Sequence, residues 1–422
     1  MTLLGLAAGS LRNRVGAVSL TVVTIAISIG LLVLVEQMRG QLREGFYRSV
    51  SGTDLIVGAP TSPVQLLLYS VFGLGSPTDN VTWASYRELA SDPLVDWTIP
   101  ISLGDSHKGF RVIGTTDAML EHYRYAGRQA LEVARGAWFG DLFDVVIGAR
   151  VARELDYSVG DEIVLAHGGG NVALQQHDSQ PFTVRGVLAP TGTPVDQSLY
   201  ISLAAHTAIH IGWQSGRARP GAMLDPEEAR ARAEALTPDE ITAFFVGLKT
   251  RAAVFGLQYR INREYDAEAL LAVLPGIALQ QLWRITGLAE QILRIVAGLV
   301  VLAGLLGMLT ALLTTLNERR REMAILRACG ARPWQIASLL LLEAAVITAA
   351  GIALGLLLAW GTQLALAPWL LARFGVAVSL AWPAAWQWAV LGGIWVAGVL
   401  VALVPAVMVY RRTLADGMQV RQ

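Results

Sequence analysis

One cysteine, Cys329, stands in the 422-residue chain, which excludes a disulfide within the chain and a cysteine-based zinc site. Charge is scarce as well. Asp, Glu, Lys and Arg make up 16% of the residues, and 33 basic side chains cancel 33 acidic ones. A general nucleic-acid binder needs a basic surface to neutralise phosphates, so no nucleic-acid partner is expected. Three catalytic signatures are missing. There is no G-x-x-x-x-G-K-[ST] loop to cradle nucleotide phosphates and no H-E-x-x-H zinc helix. No G-x-S-x-G nucleophile turn accompanies the stretch HGGGN that begins at His167. No catalytic residue and no resident cofactor are therefore expected. If ATP powers the protein, a separate subunit must bind it.

Apolar residues, by contrast, are abundant: 54% of the chain, with a mean hydropathy of +0.48. A bilayer core needs about 20 mostly apolar helical residues. Four stretches meet that length: Val15–Val35, Ile295–Leu316, Ile336–Ala365 and Trp388–Tyr410. The first is longer than a signal-peptide core and lacks a small-x-small cleavage site, so it reads as an uncleaved anchor. Arginines set the orientation. Arg12 and Arg14 precede the first span, five Arg against two Glu occupy residues 317–335, and Arg411 and Arg412 follow the last span. Both termini and the 317–335 loop are expected in the cytoplasm, and residues 36–294 outside. The expected fold class is a membrane protein of four transmembrane α-helices, with a large α+β extracytoplasmic domain inserted between the first and second. In order, the expected segments are an N-terminal segment and first span (1–35), a stalk helix (36–53), the α+β core domain (54–276) and a second stalk helix (277–294). Then come the second span (295–316), the cytoplasmic loop (317–335), the third span (336–365), a short outside loop (366–387), the fourth span (388–410) and the tail (411–422).

Within the domain, DLIVGA, GFRVIG, DVVIGA, DEIVLAH, PFTVRGVLA, SLYISL and ITAFFVGL read as strands, rich in β-branched residues and bounded by Gly, Asp or Pro. SPVQLLLYSVFGL, WASYRELA, ARVARELDY and DAEALLAVL read as helices. The polar stretch from Gln214 to Glu240 reads as a solvated insertion with one surface helix. Helices flanking the domain continue the first two spans outward. That pattern suits mechanical transmission and a plain stalk equally.

All six histidines (His107, His122, His167, His177, His206 and His210) fall in the domain. His206 and His210 share a face if HTAIH is helical. Metal capture needs three or four ligands to converge, and no single cluster supplies them, so no metal site is expected. Glu343 lies in the third span. A central acid costs about 2.5–3.5 kcal/mol of insertion, which surrounding Leu, Ile and Val offset at about 0.3–0.6 each. With no further ionisable group at membrane depth, a structural or coupling role fits this acid better than a proton relay. Ala303 with Gly307, Gly351 with Gly355, and Gly393 with Ala397 offer close-packing faces, within one subunit or between two.

The charged stretch between the second and third spans, LNERRREMAILRACGARPWQIASLLLLEA, is patterned as a short amphipathic helix. Gly330 is placed to end it and Pro333 to enforce the break. Such a helix can lie on lipid headgroups or dock in a partner's groove. This stretch closely resembles the signature of FtsX-like permeases, the MacB/LolC type of ABC transporter membrane subunit. The matching residues are Glu318, Arg319, Arg320, Glu322, Ala324, Ile325, Leu326, Arg327, Ala328, Gly330, Ala331 and Glu343. PAVMVYRRTLADGMQV is similar to the family's closing pattern, with Gly417 where Pro is common. DVVIGARVARELDYSVGDEIVL and FTVRGVLAPTGTPVDQSLYISL look like its extracytoplasmic core domain. SGTDLIVGAPTSPVQLLLYSVFGLG lies outside the general signature, and its helix is expected to pack on the domain core.

The resemblance implies a multi-pass inner-membrane permease that binds no cofactor itself. It implies a cytoplasmic ABC ATPase partner carrying ATP and Mg, and a second permease copy in a homodimer, or else a paired half-transporter. Residues 317–332 would form the coupling helix seated on that ATPase, with Glu318, Arg319, Arg320, Glu322, Ala324, Ile325, Leu326, Arg327 and Gly330 as its contact residues. A periplasmic adaptor or substrate protein is a further expected partner. Two other classes stay open at this point: a non-transporting regulator of an extracytoplasmic partner such as a cell-wall hydrolase, and an extracytoplasmic metal-handling component.

Overall fold

The computed structural model describes residues 15–167, 175–176, 180–211, 213–214, 217–218, 225–318, 325, 328, 330–374 and 380–416. They fall into two compact units, a membrane unit built on residues up to 41, 287–369 and from 378, and a domain unit built on residues 42–286 with 370–377.

The membrane unit is helical. Its long helices are α1 (Val15–Arg48) and, beyond the domain, helices numbered after α2 (Pro63–Val71) and α3 (Leu203–His210), two of the short helices of the domain: α4 (Pro275–Glu318), α5 (Pro333–Phe374), α6 (Ala385–Val401) and α7 (Leu403–Asp416). Four helical stretches are long and apolar enough to cross a membrane: Val18–Arg48, Pro275–Thr314, Pro333–Leu370 and Ala385–Val409. The third helix continues past Ala365 through Phe374, with Pro368 inside it. Ile25, Ile29, Val33, Met308, Ala344, Ile347 and Leu391 are among the buried side chains at the unit's centre.

Glycine decides how closely α1 and α5 approach. A Cβ on Gly351 would stand 2.5 Å from Ile25 Cγ2, and one on Gly355 would stand 2.9 Å from the Ala26 carbonyl oxygen. Only a residue without a side chain fits there, so this small-residue pair packs within the subunit. Around Gly307 and Gly393, in contrast, nothing lies within 4 Å of an added Cβ. Gly355→Val is expected to lower the stability of the membrane unit by about 1–3 kcal/mol through overpacking. Thermal unfolding in detergent, with Gly307→Ala as an unaffected reference, measures it.

In the domain unit the β-branched runs build one mixed sheet. Among its twelve described strands are β1 (Leu55–Gly58), β2 (Val95–His107), β3 (Phe110–Thr115), β4 (Val133–Gly136), β5 (Asp144–Ile147), β6 (Ala166–His167), β7 (Phe182–Leu188), β8 (Ser198–Ser202), β9 (Ala243–Leu248) and β10 (Leu271–Val273). The order is β10-β1-β9-β2-β3-β8-β5-β7-β4, with β6 paired to the end of β2. The β3–β8 and β5–β7 pairs are parallel and the other pairs along this order are antiparallel. Strands β1, β5 and β9 are buried along their whole length. Such strands read as continuous apolar runs because both faces are covered.

Helix α2 (Pro63–Val71) opens with Pro63 after the Ser62 cap, whose hydroxyl accepts the Gln65 N–H at 3.1 Å. It buries Leu66, Leu67 and Tyr69 against the sheet, as expected of the stretch that departs from the general family signature. The contact is close: a Cβ on Gly58 would meet Leu66 Cδ1 at 2.6 Å. Burial pushes the Tyr69 hydroxyl up to about 12. Ala278 and Leu279, from the start of α4, belong to the same core, and Phe46 stacks near Phe72 at 4.3 Å. Helix α3 (Leu203–His210) starts where β8 ends, capped by Ser202, whose Oγ accepts the Ala205 N–H at 3.0 Å.

Two expectations need correction. DAEALLAVL is no helix: its second half is strand β10, paired to β1. Tertiary contacts override its helical propensity. Asn262 and Gln258 hydrogen-bond the Ala272 carbonyl, and the Ala272 N–H donates to Asn262 Oδ1 at 2.6 Å. The thirteen-residue strand β2 was not anticipated, because Pro100 and Gly104 interrupt VDWTIPISLGDSH.

Candidate functional site

The amphipathic segment after the second span is framed by its two described ends. Helix α4 runs to Glu318, whose side chain is not described. Arg319, Arg320, Glu322, Ala324, Leu326 and Arg327 lie outside the described residues. Ile325 is helical and 58% exposed. Gly330 adopts φ +92°, the left-handed conformation that ends a helix and that glycine takes without steric cost.

The chain then restarts at once. Pro333 opens α5, and the Gln335 side chain accepts the Arg332 backbone N–H at 2.8 Å, one half of a capping box. Ile336 and Leu340, in the first turns of α5, are buried with Ala406 and Val409 of α7. The far end of the segment is therefore anchored by packing, not left as a loose loop. Glu343 follows two turns on, 4% exposed.

A second polar group, missed in the sequence, ties α1 to α4. Arg39 pairs with Glu36 and, through Nη1, with Glu290 Oε2 at 3.2 Å. Arg294 Nε stands 3.7 Å from Glu36 Oε2. Next to it, Gln363 of α5 donates through Nε2 to Gln37 Oε1, and Gln37 donates to the Ala381 carbonyl at 3.2 Å. The available signal was charge of both signs at the outer margin of two apolar runs.

The histidines divide into groups. His107 is a core residue: its ring contacts the Val164 carbonyl at 2.7 Å and the Tyr157 hydroxyl at 3.0 Å, and burial lowers its pKa. His122 stacks on Trp97 at 5.3 Å. His167, His206 and His210 come together around Asp105. His177 lies outside the described residues. Asp105, His167 and the pair in HTAIH lie far apart in the sequence, so this convergence is not visible there.

Comparison with known proteins agrees with this architecture. Residues 18–236, more than half of the chain, match the family model of the MacB-like periplasmic core domain. Residues 294–414 match that of the FtsX-like permease C-terminal domain. A curated relative, the macrolide export ATP-binding/permease protein MacB of Nitrosomonas europaea, is 23% identical over 323 residues. That match covers 72% of this chain, and the chain spans 43% of the relative's length. Among solved structures, the periplasmic region of MacB from Actinobacillus actinomycetemcomitans aligns with TM-score 0.33 and 9% identity, over 56% of this chain and 97% of that one. The extracellular domain of the noncanonic ABC-type transporter YknZ from Gram-positive bacteria aligns with TM-score 0.29 and 12% identity, over 52% and 99%.

Proposed function

The chain belongs to the ABC transporter permeases that join a MacB-like periplasmic core domain to an FtsX-like C-terminal domain, and from that premise we propose that it converts ATP hydrolysis by a cytoplasmic ATPase into movement of its extracytoplasmic domain. The movement drives export or extraction of a substrate from the outer face of the membrane. Nucleotide and Mg sit on the ATPase. Residues 318–330 form the coupling helix, with Arg319, Arg320 and Arg327 meeting acidic groups of the ATPase and Ile325 and Leu326 entering an apolar groove.

The observation that carries this reading is the local build of the segment's exit. A glycine stop and an immediate capped restart lead into a helix start that is packed against α7. A push on the segment reaches packed side chains within two turns and is not absorbed by slack chain. The unbroken helices α1 and α4, of 34 and 44 residues, supply rods of the length transmission needs. Both are longer than the roughly 20 residues a bilayer requires.

The protein works as a pair of copies. Leu288, Ile292, Ile295, Leu299, Leu302 and Leu306 of α4 are exposed at alternating spacings of four and three residues. That heptad spacing is the pattern of a helix–helix seam. The termini are cytoplasmic and the domain unit is extracytoplasmic, as the arginine distribution directs.

The test replaces Arg320 and Leu326 together with Glu in the full-length chain. Co-purification of the ATPase and its permease-stimulated ATP hydrolysis are both expected to fall to background, while membrane insertion and thermal unfolding of the permease stay unchanged. Retained association together with retained stimulation would overturn the coupling assignment.

A further inference from the structure

Asp105 is a carboxylate in an unusual setting. Its side chain is fully buried, and three imidazoles face it. His167 Nδ1 stands 3.2 Å from Oδ1, His210 Nε2 3.6 Å from Oδ2, and His206 Nε2 3.7 Å from Oδ2. His210 Nε2 and His167 Nδ1 are 3.3 Å apart. A buried charge needs a compensating cation.

The sheet makes this arrangement on purpose-built local geometry. Between Leu103↔Ile113 and Ser106↔Arg111 the β2–β3 register shifts, so two residues of β2, Gly104 and Asp105, oppose one of β3. A bulge of this kind re-aims a side chain. Strand β6 then pairs with the bulged end of β2 and sets His167 directly opposite Asp105. Helix α3 brings the other two rings, one turn apart on one face. Gly114 leaves room for this, since a Cβ there would stand 2.9 Å from His206 Cβ.

We propose that Asp105, His167 and His210, with His206 against the same carboxylate, form a binding site for a divalent transition-metal ion of the zinc type in the domain unit. Four donors about 2.0–2.1 Å from one zinc ion stand about 3.3 Å apart at the corners of a tetrahedron. The His210–His167 separation of 3.3 Å equals that edge, and the carboxylate lies 3.2 Å from His167 through Oδ1 and 3.6 Å from His210 through Oδ2. Donor atoms of Asp105, His167 and His210 all lie within 4.8 Å of one another, and His206 faces the same carboxylate at 3.7 Å. Three imidazoles and one carboxylate suit zinc, copper or nickel and not magnesium or calcium.

The outer contacts fit as well. His210 Nδ1 lies 2.7 Å from the His206 carbonyl, so it carries the proton and leaves Nε2 with its lone pair toward the site. His167 and His210 are about one third and one quarter exposed, which gives an ion a route from solvent. The ligands come from a strand, a paired strand and a helix, so occupancy ties three elements together. This inference stands on the domain alone and does not depend on the transport reading above.

The experiment uses the full-length protein in lipid nanodiscs, with its affinity tag removed and the metal stripped by chelator. Titration with Zn2+ against a chromophoric chelator is expected to show one site per chain, and Co2+ to give the intense visible bands of a four-coordinate ion. His167→Ala and His210→Ala, both at partly exposed positions, should each weaken Zn2+ at least about 100-fold, the upper end of the loss seen when a supporting ligand is removed. His122→Ala should bind as the parent does. Zn2+ should also raise the unfolding temperature of the parent and not of the two variants. No stoichiometric site in the parent, or a Co2+ spectrum of the octahedral aqueous type, would overturn the proposal and leave a protonated imidazole as the partner of Asp105. Binding that survives in a folded His167→Ala/His210→Ala double variant would overturn it too.

Discussion

Arg39→Leu is expected to destabilise the membrane unit by about 3–5 kcal/mol, the range found when one partner of a buried ion pair is removed. Glu36 is 8% exposed and Glu290 16% exposed, and Arg39 bridges them. Without it two carboxylates of neighbouring helices are left close together with little water. Arg294 cannot replace it: half exposed and 3.7 Å from Glu36, it supplies the weak attraction typical of a solvated pair. The measurement is thermal unfolding in detergent, followed by tryptophan fluorescence. The double variant Arg39→Leu/Glu36→Leu separates the causes. If the loss comes from an uncompensated charge, the second change should recover much of it, because an apolar pair of similar volume is often neutral in place of a buried ion pair. If the double variant is as unstable as the single one, the guanidinium acts by packing and the electrostatic account fails.

Gly148→Ala is expected to prevent the domain unit from folding stably, at a cost of more than about 3 kcal/mol, beyond ordinary overpacking. Its Cβ would stand 2.4 Å from the carbonyl oxygens of both Val195 and Asp196. These are backbone atoms and they are not free to yield. The Gly148 N–H donates to the Ser198 carbonyl at 2.9 Å, and Asp196 accepts N–H groups from Thr191 and Gly192 at 2.8 Å each. Relieving the clash would therefore open the junction of β5, β8 and the loop before β8. Gly256→Ala is the matched reference. Nothing lies within 4 Å of its Cβ in the helix Val254–Arg263, and alanine there should gain about 0.8–1.0 kcal/mol from helix propensity alone. Equal proteolytic resistance and equal circular dichroism melting of the two variants would refute the steric argument.

The parts of this fold that could be read in the sequence are those governed by composition and short-range period. The four apolar runs are visible because a bilayer-spanning helix must be apolar over a known length. The strands DLIVGA, DVVIGA and ITAFFVGL are visible because both faces of each are covered and polar residues are excluded. The parts that escaped depend on partners remote in the chain. VDWTIPISLGDSH reads as broken because Pro100 and Gly104 sit inside it, yet β9 and β3 hold it on either side as a strand. DAEALLAVL has the composition of a helix and becomes a strand only because β1 offers an edge.

The same reasoning applies to the sites. The charged segment after the second span was legible because its motif is contiguous. The group of Asp105, His167, His206 and His210 was not, since its members lie in separate strands and a helix. Only a one-residue register shift in β2 turns the carboxylate toward the rings. Half of the group, the pair in HTAIH, was legible from helical spacing. The carboxylate that organises it carried no local signal at all.

The break between α6 and α7 at Ala402 has a mechanical meaning. With 17 residues, α6 is about 26 Å long, short of the roughly 30 Å of a hydrocarbon layer, so the crossing has to be completed by α7. Pro405 has no N–H to donate, yet the ladder crosses the point: the Ala402 N–H donates to the Gly398 carbonyl at 3.3 Å and the Ala406 N–H to the Ala402 carbonyl at 3.1 Å. Both pieces are fastened to α5. The short one holds through Ala406 and Val409. The long one holds through Trp395, whose Nε1 donates to the Ala345 carbonyl at 3.1 Å, and through Gly398, where a Cβ would meet Thr348 Oγ1 at 2.5 Å. A load entering at residue 333 would meet the whole strut and not one end of it.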